Sequence, residues 1–404
     1  MTAHALALAL EIVTTSLTVA GMGYFLASIV AARVFMHERR VPRPEFSPGV
    51  SILKSLKGLD PGMMDAFRSH CRQIYAGEYE LLFGASSLDD PAVAAVKELQ
   101  AEFPERAIRL IQCPEKLGTN GKVSTLAQLA THAQYDFLLI NDSDITVSSR
   151  YLERVMCRFA PASQYAAKSP VGLVTALYRG KAHGSASRGG GLPSQLPSQF
   201  EALGIATEFM PGVLLSKLIE GGLHYGLGST LAVRREALEN IGGLLSIVDY
   251  LADDYELGAR IAHAGYRIEV SADVVETSVP AYSWRGFFDH QLRWLRTVRC
   301  SRPAGYAGLI FTHGLAWALV NVLASGLSPL SLWLLGLSFF LRLAQAMTVG
   351  AAVLGDHEVL PNLWLLPLRD VIAMFLWVTG FSGDTIVWRG ERFTLKDGKL
   401  QRAS

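Results

Sequence analysis

Two blocks of apolar sequence bracket a polar middle, and this arrangement limits what the chain can fold into more than any other feature. Residues 5–36 form a long apolar stretch broken only by Glu11 and Arg33, followed by His37-Glu38-Arg39-Arg40 and Arg43. About 20 apolar residues span a bilayer as a helix, which satisfies its own backbone hydrogen bonds. The stretch is too long for a secretory leader and lacks both a basic start and a small-residue cleavage site, so it reads as a retained anchor. The positive-inside rule puts the basic cluster in the cytoplasm, and with it the polar middle.

From about residue 308 the chain is apolar again, with candidate membrane segments at 308–326, 328–354 and 361–388 and breaks at Pro329 and Asp356-His357-Glu358. The third carries Arg369-Asp370 and Asp384. Charges in hydrocarbon are costly unless paired or interfacial, so this segment reads as interfacial, re-entrant or two half-crossings. Residues 389–404 form a basic tail suited to the cytoplasm, which requires an even number of C-terminal crossings. Half of the residues are hydrophobic and only 18% charged, too apolar for an ordinary soluble chain. A net charge of +1 gives no field for nucleic acid. Cys71, Cys113, Cys157 and Cys300 are scattered without metal-ligand spacing and read as reduced thiols, with no disulfide framework.

Residues 45–300 have the pattern of an α/β domain. Strands are expected at Val50–Leu53, Tyr79–Gly84, Ile108–Ile111 and Tyr135–Ile140, with helices around 62–75, 91–102 and 121–132 between them. Such alternation implies parallel βαβ units. Further strands near 171–177, 228–233 and 267–276 would complete a mixed sheet. Gly184 to Gln199, with Gly189-Gly190-Gly191, is compositionally a flexible loop; a phosphate-cradling loop would need a strand-to-helix context and a Lys-Ser/Thr that are missing.

Four polar elements carry the candidate chemistry. The strand ending at Ile140 opens onto Asn141-Asp142-Ser143-Asp144. Residues two apart on an extended chain point the same way, so Asp142 and Asp144 can share one divalent cation where open α/β sheets bind ligands; a polar turn capping the next helix is the alternative. Asp89-Asp90-Pro91 can hydrogen-bond a nucleotide base or ribose, or simply cap a helix with proline at its first position. Lys122, after Gly118-Thr119-Asn120-Gly121, begins a helix and can neutralise a diphosphate, or stand solvated. Asp253-Asp254 lead an apolar helix, where acidic residues also suit the dipole. Downstream, Trp284–Trp294 mixes aromatic and cationic residues as an interfacial helix over 281–300 would. Phe209–Leu215 with Leu218-Ile219 reads as a lipid-facing surface or as buried core.

In this order the motifs are recognisable. They run Ser51-Ile52-Leu53-Lys54-Ser55-Leu56-Lys57-Gly58, Gly118–Val123, Asn141–Asp144, Gly228-Ser229-Thr230-Leu231-Ala232-Val233, Asp253-Asp254-Tyr255-Glu256, Arg293-Trp294 and Trp388-Arg389-Gly390. Over essentially its whole length the chain resembles membrane-bound GT-A glycosyltransferases of the GT2/GT21 type. The likeness is to the ceramide glucosyltransferase family, and most closely to bacterial hopanoid-biosynthesis glycosyltransferases. The resemblance implies a Rossmann-like mixed sheet between N- and C-terminal transmembrane helices, in a bacterial inner membrane with the catalytic domain facing the cytoplasm. It implies that Asp142 and Asp144 bind Mg2+ or Mn2+ on the sugar nucleotide, that Lys122 contacts the diphosphate, and that Asp254 is the general base. Arg293 and Trp294 would belong to a (Q/R)xxRW element near the donor phosphates and the acceptor. Asp89, Asp253 and His290 would be further substrate contacts. His290 departs from the family's leading Gln/Arg, and Asp89 is the nearest match to its first aspartate, with serines before it.

The expected function is inverting transfer of a sugar from a UDP-sugar, UDP-N-acetylglucosamine favoured, to a hydroxyl of a membrane lipid such as bacteriohopanetetrol. Glucose transfer to ceramide or another bacterial lipid is the alternative. A transporter would carry its ionisable residues inside the membrane segments. A non-enzymatic scaffold with a degenerate transferase fold would be expected to have lost one of Asp142, Asp144 or Asp254, and all three are present.

Overall fold

In a computed structural model, residues 3–160, 169–183, 195–388 and 391–402 are described. An eight-stranded mixed sheet forms the centre: β1 (Val50–Leu56), β2 (Tyr79–Ala85), β3 (Ala107–Gln112), β4 (Phe137–Ile140), β5 (Ile145–Thr146), β6 (Val171–Ala182), β7 (Leu231–Arg234) and β8 (Arg267–Val279). Its order is β3-β2-β1-β4-β7-β6-β8-β5. β3, β2, β1 and β4 run parallel, with Val50 opposite both Tyr79 and Phe137. β7 runs antiparallel to its neighbours β4 and β6, and β8 returns parallel to β6. Helices Met63–Cys71, Ala92–Glu102 and Gly121–Ala130 make the expected crossovers. β1, β2 and β4 are buried along nearly their whole length because the sheet is covered on both faces.

The two-residue period assigns side chains to the covers. Phe137 and Leu139 pack with Phe67, Val96 and Tyr151 on one face. Leu138 and Ile140 join Leu126, Leu173 and Phe200 on the other. That second cluster continues into the apolar ends of the chain through Ala32, Phe35, Val349 and Leu366. The α/β domain therefore shares one core with the helices that flank it.

Among the described residues four helices are long and apolar enough to cross a membrane: His4–Glu38, Leu196–Ile219, Pro329–Val353 and Leu363–Gly380. Pro303–Thr312 and Gly314–Ala324 form a pair bent by 57° that could supply a fifth. The N-terminal helix packs on the bent pair through Gly21 and Gly314, where a Cβ on Gly21 would lie 2.1 Å from the Gly314 Cα. Small residues bring apolar helices this close together. Leu196–Ile219 begins inside the stretch read from sequence as a loop, with Pro197 in its first turn; residues 184–194 of that stretch lie outside the described residues. Within it Met210, Pro211, Val213 and Leu214 are buried, while Leu218 and Ile219 are exposed.

The costly charges of the third C-terminal segment are paired. Arg342 makes a bidentate contact with Asp370 at 2.8 and 2.7 Å and donates to the Thr207 carbonyl at 2.9 Å. Arg369 donates to the Phe200 carbonyl and to Gln291 Oε1, both at 3.1 Å, and contacts Glu208 at 2.8 Å. These bonds lock Leu196–Ile219 to the C-terminal helices and to helix Trp284–Ser301. That segment is helical only to Gly380; its end starts a three-stranded sheet of β9 (Thr385–Trp388), β10 (Glu391–Lys396) and β11 (Lys399–Arg402). The stretch read as a basic tail thus carries two strands. They pack Phe393, Leu395 and Leu400 on Leu251, and the Leu400 N–H donates to the Asp249 carbonyl at 2.8 Å.

Removing one partner of a buried pair strands the other's charge, which costs about 3–5 kcal/mol. Asp370→Ala is therefore expected to lower the thermal midpoint and yield of the detergent-solubilised protein strongly. Arg342→Met with Asp370→Leu should recover most of the loss, because apolar replacement of both partners is close to neutral.

Candidate active site

The ends of β1, β2 and β4 share one edge of the sheet, and the polar elements collect there. β4 stops at Ile140 because Asn141 follows, and Asn141 is itself buried at 1% exposure. Its amide donates to the Ser229 carbonyl at 2.6 Å and to the Tyr151 hydroxyl at 3.0 Å. The first residue of the tetrad is thus structural, and it ties the acidic turn to Gly228-Ser229. The next bond in the chain is from the Gly228 N–H to Asp254 Oδ2, at 2.8 Å.

Asp254 sits in the first turn of helix Asp253–His263, and its Oδ1 accepts from the Tyr255 N–H at 2.8 Å. The helix reaches this position because Gly258 lies against the chain at 225–226; a Cβ there would be 2.1 Å from the Gly226 nitrogen. Burial raises the Asp254 carboxyl to about 6, Asp253 adds repulsion, and Lys122 opposes both.

Lys122 begins helix Gly121–Ala130, capped by Asn120, whose Oδ1 accepts from the Lys122 and Val123 N–H groups. The loop before it is fastened by Asp249, which accepts from the Thr119 N–H at 2.9 Å and hydroxyl at 3.0 Å. Lys122 Nζ consequently lies 2.8 Å from Asp142 Oδ1 and 3.1 Å from Asp253 Oδ2. Burial works against its charge, but Asp142 and Asp253 outweigh it and the amine is held firmly protonated.

Asp144, two residues on in the same turn, is held by β8. β5 pairs Ile145 with Thr277, so the Thr277 hydroxyl donates to Asp144 Oδ2 at 2.6 Å. Burial and then the Asp142 charge raise the Asp144 carboxyl to about 6, with Asp60 adding to the repulsion. Ser143 donates to Asp60, which brings a further carboxylate from the end of β1 to this edge. Beneath the turn, fully buried Lys54 donates to the Asp142 carbonyl at 3.1 Å, and burial lowers its amine to about 7 against the pull of Asp142 and Asp144.

Sequence reading anticipated Lys122, Asp142, Asp144, Asp253 and Asp254, and the fold brings these five together. Asp89 instead stands exposed beyond β2, hydrogen-bonded to Ser87 at 3.3 Å. Its neighbour Asp90 accepts from the Gly58 and Ala92 N–H groups and so caps the helix, as Asp-Pro suggested. His290, Arg293 and Trp294 lie on Trp284–Ser301. His290 stacks on Tyr282 with centroids 5.4 Å apart, and Trp294 packs on Phe209. Asp60, Thr277 and Tyr178 were not anticipated; the hydroxyl of half-buried Tyr178 is raised by burial and then by Asp254, Glu201, Asp142 and Asp144 around it.

Among the described residues no three His, Cys, Asp or Glu side chains converge as a complete metal site. Asp142 and Asp144 offer hard oxygen donors of the kind Mg2+ or Mn2+ accepts when substrate phosphates supply the remaining ligands. Asp142 and Asp60 place negative charge beside buried Asp144, which a cation would answer. An ionisation that costs more in the folded than the unfolded chain lowers stability as pH rises. Metal-free protein should therefore lose stability between about pH 4 and 6 from this group, and Asp144→Asn should melt a few degrees higher than wild type at pH 7.5, with the gap shrinking as pH falls below 4.5. Differential scanning fluorimetry with chelator reads this; added Mn2+ should stabilise only the wild type.

Over most of its length the chain is similar to known glycosyltransferases. Ceramide glucosyltransferase 3 of Caenorhabditis elegans is 26% identical over 96% of this chain and 82% of its own length. Ceramide glucosyltransferase 1 of the same organism is 23% identical over 91% and 76%. Among solved structures, a mannosyltransferase from Pyrobaculum calidifontis in complex with GDP-Man and Mn2+ shares the fold, with a TM-score of 0.53 at 19% identity, covering 92% of this chain and 97% of that one. The fold is GT-A, and the apolar helices make this a membrane protein. Residues 13–401 match the model of glycosyl transferase family 21, and the chain is a glycosyltransferase of that family.

Proposed function

We propose that the protein transfers a sugar from a UDP-sugar to a hydroxyl of a membrane lipid, with inversion, at the cytoplasmic face of a bacterial inner membrane. The observation that carries this reading is the separation of charge along the sheet edge. Lys122 is bound to Asp142 and Asp253, while Asp254 is held apart on the Gly228 amide. Lys122 would exchange a carboxylate for the donor's diphosphate, stabilising the charge that develops on departing UDP. Asp142 and Asp144 would hold a divalent cation, which would supply further charge neutralisation to the diphosphate. Asp254 would take the acceptor proton as its oxygen attacks the anomeric carbon on the face opposite UDP.

The resemblance to hopanoid glycosyltransferases favours N-acetylglucosamine and a bacteriohopanepolyol. A second reading, glucose to ceramide, is favoured by the names of the curated relatives. Mass spectrometry of lipids from cells with and without the gene separates them, by loss of a hexosamine-modified hopanoid or of a hexosylceramide.

Asp254→Asn is expected to keep UDP-sugar binding while transfer falls by about 10²–10⁴-fold, measured as UDP release in the presence of lipid. Substantial turnover by that variant would overturn the base assignment. Only ionised Asp254 can act as base, so wild-type kcat/KM should rise by about tenfold per pH unit up to about pH 6 and then level off. A profile flat down to pH 5 would contradict this role.

A further inference from the structure

Glu201 is an acidic residue buried to 3% exposure within the apolar helix Leu196–Gly204, where an unpartnered carboxylate would be costly. Its Oε2 lies 3.0 Å from His290 Nδ1. A carboxylate can only accept, so the proton of this bond sits on Nδ1, and in that tautomer of imidazole Nε2 is the hydrogen-bond acceptor. The ring is fixed from both sides, stacked on Tyr282 at 26° and 4.9 Å from the Trp294 ring. Tyr282 is in turn fastened to the Glu201 helix, because Ser198 Oγ accepts from its N–H at 3.0 Å and donates to the Pro280 carbonyl.

This imidazole ends a row of rings that begins beside the carboxylates. Tyr178 contacts Phe209 at 6.0 Å, Phe209 contacts Trp294 at 6.2 Å, and Trp294 contacts His290. Such a row offers apolar faces to a lipid body, with one polar acceptor among them for a hydroxylated head. The same helix Leu196–Ile219 is one of those able to enter a membrane, so the row lies where a lipid could reach it.

We infer that Glu201 is a positioning residue for the acceptor: it sets the His290 ring so that Nε2 accepts a hydrogen bond from a hydroxyl of the lipid head, beside the hydroxyl that Asp254 deprotonates. This rests on the lipid-acceptor reading above. It gives a physical reason for histidine in place of Gln/Arg at position 290, since imidazole with a fixed tautomer supplies a single directed acceptor.

The test uses the full chain in nanodiscs, with UDP release measured against donor and against bacteriohopanetetrol or ceramide, whichever the wild type glycosylates. Glu201→Leu and His290→Ala should each raise the acceptor KM by about tenfold while the donor KM stays within about twofold. Glu201→Gln, which keeps an acceptor oxygen, should recover most of the loss, and Glu201→Leu should add nothing in the His290→Ala background. If Glu201→Leu does not fold, His290→Ala decides by the same split. Equal changes in both KM values, an unchanged acceptor KM, or additive losses in the double variant would overturn the inference. A wild type that releases UDP without acceleration by either lipid would instead overturn the lipid-acceptor reading beneath it.

Discussion

The ammonium of Lys122 is the contact on which this edge of the molecule depends. Asp60, Asp142, Asp144, Asp253 and Asp254 all collect there, and Lys122 meets two of them directly. Like charges gathered in a partly desolvated cleft are unfavourable unless cations answer them. Lys122 answers Asp142 and Asp253 directly, while burial first, and then the charge of Asp142 on Asp144 and of Asp253 on Asp254, raises the remaining two carboxyls to about 6. The site is thus built with unbalanced negative charge on either side of one fixed cation, an arrangement suited to a metal-bound diphosphate on one side and a proton acceptor on the other.

The scaffold makes that arrangement rigid through buried amides. Asn141 joins the β4 turn to Ser229, Gly228 holds Asp254, and Asp249 holds the loop before Lys122. The C-terminal sheet then presses on the same segment, with Leu400 bonded to Asp249 and packed on Leu251. Because the core of the domain runs into the flanking helices, and Arg342 and Arg369 clamp Leu196–Ile219 from the C-terminal side, the site is fixed relative to the apolar helices as well.

Much of this was legible in the sequence, for physical reasons that differ by element. Apolar runs at β1, β2 and β4 announce strands covered on both faces, and the crossover helices between them follow from their spacing. Asp142, Lys122 and Asp254 could be named because each sits at a strand end or helix start, where chemistry and local signal coincide. Local pattern could not reveal what only the fold creates. Thr277 meets Asp144 through pairing of β5 with β8, and Asp60 arrives on the loop after β1. Leu196–Ile219 was hidden behind a Gly/Pro/Ser-rich approach, and Glu201 within it gains meaning only from His290, far along the chain. β10 and β11 are short and rich in basic residues, so composition spoke for a tail while three-residue contacts with Leu251 made a sheet. Asp89 shows the converse: a motif position matched by order alone, which the fold leaves exposed while Asp90 does the capping.

The division of labour between the carboxylates is the central claim, and anomalous diffraction at the manganese edge from crystals grown with UDP and Mn2+ tests it most directly. The account predicts one manganese peak at Asp142 and Asp144, with Lys122 turned from a carboxylate to the diphosphate and Asp254 free of the metal. A peak coordinated by Asp253 or Asp254, or UDP bound away from Lys122, would contradict it.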